Sequence, residues 1–96
     1  GIPVSLHLHD TRGLGITNSY VALQQGVTTF ETSIGGVGGC PFTLGAAGNV
    51  ATEDMVYLCD TLGIDTGLVW REVAKAARIA ERIIGHSLPG RVYKTI

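Results

Sequence analysis

A strand, a helix and a second strand follow one another with little chain between them, and few folds accept that order. Val4-Ser5-Leu6-His7-Leu8-His9 alternates apolar and polar residues, which predicts a strand ending at about His9. From about Leu14 to Gln25, the stripe of Ile16, Tyr20 and Leu23 predicts a helix, with Gly26 where a left-handed cap belongs. Val27 to Ile34 is rich in β-branched residues and carries Phe30, so a second strand starts directly after the helix. Strands joined through a helix run parallel, because a parallel pair needs a crossover where an antiparallel pair needs only a turn. The chain is therefore placed in the α/β class, whose ligands gather beyond the carboxyl ends of the strands.

Beyond the second strand comes the loop Gly35-Gly36-Val37-Gly38-Gly39-Cys40-Pro41. A helix is expected from about Ala51 to Leu62, with Met55, Leu58, Cys59 and Leu62 facing inward and Gly63 ending it. A third helix, from about Leu68 to Ile84, carries Val69, Val73, Ala76, Ala80 and Ile83 at helical spacing. It stops at Gly85 and leaves a polar tail from His86 to Ile96. With no internal repeat, low-complexity tract or linker, residues 1–96 read as one unit, and 45% apolar content suffices for a small core.

Only seven residues are Lys or Arg and the net charge is -1, so no electrostatic footprint for nucleic acid or an anionic membrane is present. No apolar run approaches the roughly twenty residues that span a bilayer. Gly1-Ile2-Pro3-Val4 lacks the basic and long apolar regions of a signal peptide. Two cysteines in unrelated contexts make no disulfide framework and fit a reducing compartment, a cytoplasm or an organelle matrix.

The chemistry concentrates at the strand ends. Ser5, His7 and His9 share one side of the first strand, opposite Val4, Leu6 and Leu8, so two imidazoles converge where the strand stops. Two histidines so placed can chelate one divalent ion, and equally can be two hydrogen-bonded polar residues. The polar face suits the interior of a barrel mouth. On the second strand Val27, Thr29, Glu31 and Ser33 share a face, and Glu31 is expected either to pair with a basic group not evident in the sequence or to lie at solvent. Four glycines in five positions cost chain entropy and predict a mobile loop. That loop can carry the Cys40 thiol over a substrate as a general acid or base, or be a linker with an incidental thiol. Cys59, among Met55 and Leu62, reads as an inert core residue. Asn49 suits the N-cap of the following helix, or a ligand whose amide oxygen completes an oxygen-rich sphere for Mg²⁺ or Mn²⁺.

Taken together, HLHDTRGLG at 7–15 and ETSIGGVGGCPFTLGAAGNVATED at 31–54 resemble the C-terminal portion of the 3-hydroxy-3-methylglutaryl-CoA (HMG-CoA) lyases and their close relatives. The resemblance runs through Asp60-Thr61-Leu62-Gly63-Ile64-Asp65-Thr66-Gly67 and weakens in the last helix and tail. It implies the last β-α-β-α portion of a (β/α)8 barrel plus a terminal helix, not a complete barrel. It also implies that His7, His9 and Asn49 bind a divalent metal, Mg²⁺ or Mn²⁺. Cys40 would sit in the loop after the eighth strand. The implied reaction cleaves the acyl-CoA substrate to acetyl-CoA and acetoacetate, with His7 assisting removal of the hydroxyl proton and Cys40 protonating the departing enolate.

An eight-stranded barrel needs about 250 residues. On that count the other six strands are missing, with the first-strand Asp-containing motif that supplies a further metal ligand and an arginine. The isolated chain is then expected to be inactive and to self-associate as a homo-oligomer through its open edges. Two other readings stay open. One is a neighbouring barrel enzyme, an acyltransferase of the isopropylmalate or citramalate synthase kind or a biotin-dependent carboxyltransferase, which is not expected to carry Gly-Gly-Cys-Pro. The other is a non-catalytic module whose property is assembly. The resemblance places the protein in a bacterial cytoplasm or, in a eukaryote, the mitochondrial matrix, and Tyr93-Lys94-Thr95-Ile96 is not a peroxisomal signal of the S-K-L type.

Overall fold

Strand β1 (Ser5–His7) and strand β2 (Thr29–Glu31) pair in parallel across helix α1 (Gly15–Gln24), the crossover that the sequence order requires. This is a computed structural model, and it describes residues 4–10, 13–38 and 48–96. Ser5 lies opposite Thr29, Leu6 opposite Phe30 and His7 opposite Glu31. Paired residues leave the same face of a sheet. Leu6 and Phe30 are therefore half-buried against the helices, while Ser5, His7, Thr29 and Glu31 form an exposed polar face.

Both strands are shorter than expected, and one segment explains both endings. Val50 donates its N–H to the Leu8 carbonyl at 3.0 Å, and its own carbonyl accepts the Ser33 N–H at 3.1 Å. Thr52 then donates to the Ser33 carbonyl at 2.9 Å. Residues 48–52 thus lie between the carboxyl ends of β1 and β2 and take over the ladder from them. His9 sits in a single antiparallel bridge with Asn49, and Ser33 in a parallel bridge with Ala51. After Ser33 the chain turns into a short 3₁₀ helix, Ile34–Gly36.

Helix α2 (Thr52–Thr61) packs Met55 and Cys59 against Val50, with Leu8, Ile16, Leu23, Phe30 and Leu58 around them. Gly26 and Gly63 take positive φ after α1 and α2, as expected of left-handed terminators. Leu62, expected inside, is 41% exposed, because α2 ends at Thr61 and the chain leaves the helix face there. Tyr20 is also 38% exposed, its place on α1 taken by the buried Ser19, whose hydroxyl donates to the Gly15 carbonyl.

Helix α3 (Trp70–Ile84) starts two residues later than predicted. The side chains of Asp65 and Thr66 accept the N–H groups of Gly67 and Leu68, which holds this stretch in a turn. Gly85, at φ 91°, ends the helix as expected. The buried face is only partly the expected one: Val73, Ala76 and Ala80 are half-buried, Ala80 against the core. Ala74 and Ala77 are fully buried, while Val69 is 61% and Ile83 81% exposed. The reason lies in the tail, which is not the polar extension that composition suggested. Leu88 and Tyr93 are buried against Ala74 and Ala77 in a second core cluster that also contacts Val37. The Tyr93 hydroxyl donates to Glu81 Oε2 at 2.6 Å and accepts the Leu88 N–H at 2.9 Å, and a 3₁₀ helix, Val92–Thr95, carries Tyr93. No helix among the described residues is long and apolar enough to cross a membrane.

Candidate metal centre

The handover of the ladder determines where each predicted site residue lies. His7 is the last residue of β1 and His9 follows it after one intervening residue, so both rings stand on the polar side, centroids 5.2 Å apart and edge to face at 63°. Asn49 opposes His9 in the antiparallel bridge, and directly opposed residues present their side chains to the same side. His7, His9 and Asn49 are thus brought to one place at the carboxyl ends of two parallel strands. Cys40 lies outside the described residues, as do Gly39 and Pro41 of the glycine-rich loop.

Asn49 is not the N-cap of α2. Ala51 occupies that position without a side-chain cap, because the backbone of residues 49–52 is already engaged with both strands. The Asn49 amide instead donates from Nδ2 to the Val37 carbonyl at 3.3 Å. Its carbonyl oxygen, Oδ1, is buried and meets no hydrogen-bond donor among the described residues. A buried amide oxygen without a partner costs about 1–3 kcal/mol, and a cation is one way to satisfy it.

The donor set fits a divalent cation in kind: two imidazole nitrogens and one amide oxygen suit Mn²⁺ or a similar ion. In number it supplies about half of a six-coordinate sphere. Among the described residues no group of three His, Cys, Asp or Glu side chains could hold a metal. Asp10, next to His9, is occupied elsewhere, since its Oδ1 accepts the Gly15 N–H at 3.0 Å and anchors the start of α1.

Glu31 is the site residue that sequence reasoning left unplaced. It lies at solvent, 63% exposed, and it also has a partner: its Oε2 is 3.0 Å from His7 Nδ1. The partner is a histidine, not the Lys or Arg that a search for positive charge looks for. The signal available in the sequence was the matched count of residues to the two strand ends, which sets His7 opposite Glu31 in a parallel register.

The stem of the glycine loop is held from below. Glu53, fully buried, accepts the Gly35 N–H on Oε1 at 2.9 Å, and the Gly35 carbonyl accepts the Gly90 N–H at 2.8 Å. Burial pushes the Glu53 carboxyl above its ordinary pKa, opposed by the Gly35 hydrogen bond. The sequence showed Glu53 only as part of an acidic first helical turn. Cys59, by contrast, is the inert thiol expected: it is buried, and burial raises its pKa further from the thiolate.

A family model described as HMGL-like matches residues 1–80. The chain belongs to the HMGL-like family. Over 88 residues it is 44% identical to hydroxymethylglutaryl-CoA lyase YngG of Bacillus subtilis, covering 92% of this chain and 29% of that protein. A second relative of this HMGL-like chain is the (R)-citramalyl-CoA lyase of Chloroflexus aurantiacus, 41% identical over 93 residues, 97% of this chain and 29% of that one. The crystal structure of the Bacillus subtilis HMG-CoA lyase superposes with a TM-score of 0.88 at 43% identity, over 95% of this chain and 30% of that one. The HMGL-like chain therefore spans about three-tenths of the length of these relatives. It has the fold of the last β-α-β-α part of a (β/α)8 barrel with a terminal helix, and is not a closed barrel by itself.

Proposed function

We propose that this chain contributes His7, His9 and Asn49 to the divalent-metal site of a lyase that cleaves HMG-CoA to acetyl-CoA and acetoacetate. The observation that carries the reading is a buried Asn49 amide oxygen with no hydrogen-bond partner among the described residues, on a residue bridged to His9 and therefore on the side of the two imidazoles, in a chain 44% identical to a hydroxymethylglutaryl-CoA lyase. A cation bound there supplies Lewis-acid polarisation of the substrate's oxygens. His9 and Asn49 hold their places through the backbone bridge between them. His7 has one ring nitrogen, Nε2, outside its hydrogen bond to Glu31. That atom cannot hold a cation and accept a proton at once, and we assign it to the cation in preference to removing the hydroxyl proton. Cys40 is assigned as the donor that protonates the departing acetyl-CoA enolate.

The activity requires the remaining barrel strands, whose first contributes a carboxylate ligand in this reading. The test is acetoacetate release from HMG-CoA by the intact protein with Mn²⁺ or Mg²⁺, before and after chelation. Cys40→Ala should lower turnover while leaving Mn²⁺ affinity unchanged. Metal-independent acetoacetate release would refute the assignment. A second reading, a lyase acting on a citramalyl-CoA substrate, is favoured by the 41% identity over 97% of the chain. Pyruvate instead of acetoacetate as the product, from the corresponding thioester, distinguishes it.

A further inference from the structure

We propose that Glu31 is a positioning residue for His7, selecting the imidazole tautomer and ring rotation that leave Nε2 as the metal-binding nitrogen. The proposal deepens the reading of His7 as a ligand and rests on it.

The contact is built by the backbone. His7 and Glu31 are register partners in the parallel ladder, so both side chains leave the same face from opposed positions. Across that pair Glu31 Oε2 is 3.0 Å from His7 Nδ1. An ionised carboxylate only accepts hydrogen bonds, so the nitrogen that faces it carries the proton. In a neutral imidazole with the proton on Nδ1, the lone pair is on Nε2, which is the form a cation requires. The hydrogen bond also limits rotation of the ring, and the edge-on His9 ring, 5.2 Å away, packs beside it.

Among the described residues no competing charged partner claims the carboxylate. His7 is the one ion-pair partner of Glu31 among the described residues. The neighbours of Glu31 on its face of β2, Thr29 and Ser33, bring hydroxyls and no charge. A carboxylate that orients a metal-bound histidine typically accounts for about 10- to 100-fold in metal affinity.

Two measurements on the intact protein separate this proposal from the metal reading beneath it. In the absence of metal, with imidazole nitrogens labelled and the pH high enough for neutral rings, long-range nitrogen–proton spectra should show His7 protonated at Nδ1. Glu31→Ala should lose that preference. Because Glu31 lies at solvent, the variant is expected to keep its fold, checked by circular dichroism. Calorimetric titration with Mn²⁺ should then show binding about 10- to 100-fold weaker in Glu31→Ala. Glu31→Gln should fall between the two, since its amide oxygen can still accept from Nδ1 without the charge. An unchanged His7 tautomer in Glu31→Ala overturns the proposal, as does Mn²⁺ affinity equal to that of the parent protein. If the parent protein binds no Mn²⁺, the metal reading fails, while the tautomer comparison still decides whether Glu31 sets the state of His7.

Discussion

Replacing Gly35 by alanine acts on the point where the loop leading to Cys40 is tied to the rest of the fold. Gly35 has φ 67°, in the left-handed region, with its N–H on Glu53 and its carbonyl on Gly90. A Cβ there would run into the Leu88 side chain, which is 2% exposed and has no room to retreat. An L-residue in this conformation costs about 1–2 kcal/mol, and forcing a methyl into a packed contact adds about 1–3 kcal/mol. The expected loss for Gly35→Ala is therefore about 2–5 kcal/mol. Leu88→Ala alone empties part of the cluster around Tyr93 and costs about 2–5 kcal/mol.

Combining the two tests the reasoning. Leu88→Ala removes Cδ1, the atom nearest the new methyl, and Cγ, leaving Cβ at 3.3 Å, so most of the steric part of the Gly35 penalty should vanish and the backbone part remain. The double variant should be less destabilised than the sum of the singles by about 1–3 kcal/mol. Urea unfolding followed by circular dichroism, with slopes compared across all four proteins, provides the numbers. Additivity to within about 0.5 kcal/mol would refute the clash.

Other outcomes follow from the same contacts. The raised pKa of Glu53 means that the fold favours the protonated acid; that contribution is complete below the ordinary value of 4.5 and is lost as pH rises through the folded-state pKa. Glu53→Gln should therefore lose less thermal stability than the parent between acid and neutral pH, and parallel melting profiles would contradict this. Tyr93→Phe leaves the buried Leu88 N–H without an acceptor, a cost of about 1–3 kcal/mol. It also removes the hydroxyl that, with Arg78, holds the Glu81 carboxyl below its ordinary pKa. Stability from a depressed carboxyl is present above the unfolded pKa and lost as pH falls through the folded one, so the gap between Tyr93→Phe and parent should narrow in acid when urea unfolding is repeated there. Asn49→Ala should weaken Mn²⁺ binding by about tenfold or more, and Asn49→Asp should strengthen it by adding a charge; equal calorimetric affinities would remove Asn49 from the site. Exposed Val69 and Ile83 and the unpaired edges of β1 and β2 predict self-association of these 96 residues at micromolar concentration, and a stable monomer in sedimentation would exclude it.

Periodicity and punctuation by themselves determined the β-α-β-α order, the parallel pairing, the separation of Leu6 and Phe30 from Ser5, His7 and Glu31, and the helix ends at Gly26, Gly63 and Gly85. Each follows from residues near one another in the chain, because strand alternation and left-handed caps are local properties of the backbone. Tertiary structure alone decided the rest. The apolar stripe of α3 admits more than one face, and the tail, returning with Leu88 and Tyr93, selected Ala74 and Ala77 over Val69 and Ile83. Asn49 looked locally like a helix cap, and only the passage of residues 48–52 between the two strands freed its amide for Val37 and left its oxygen without a partner among the described residues. His7 and Glu31, separated by a whole helix, met through the register of a ladder. These contacts join residues far apart in the chain, and no local pattern of hydrophobicity specifies which distant group fills a given place.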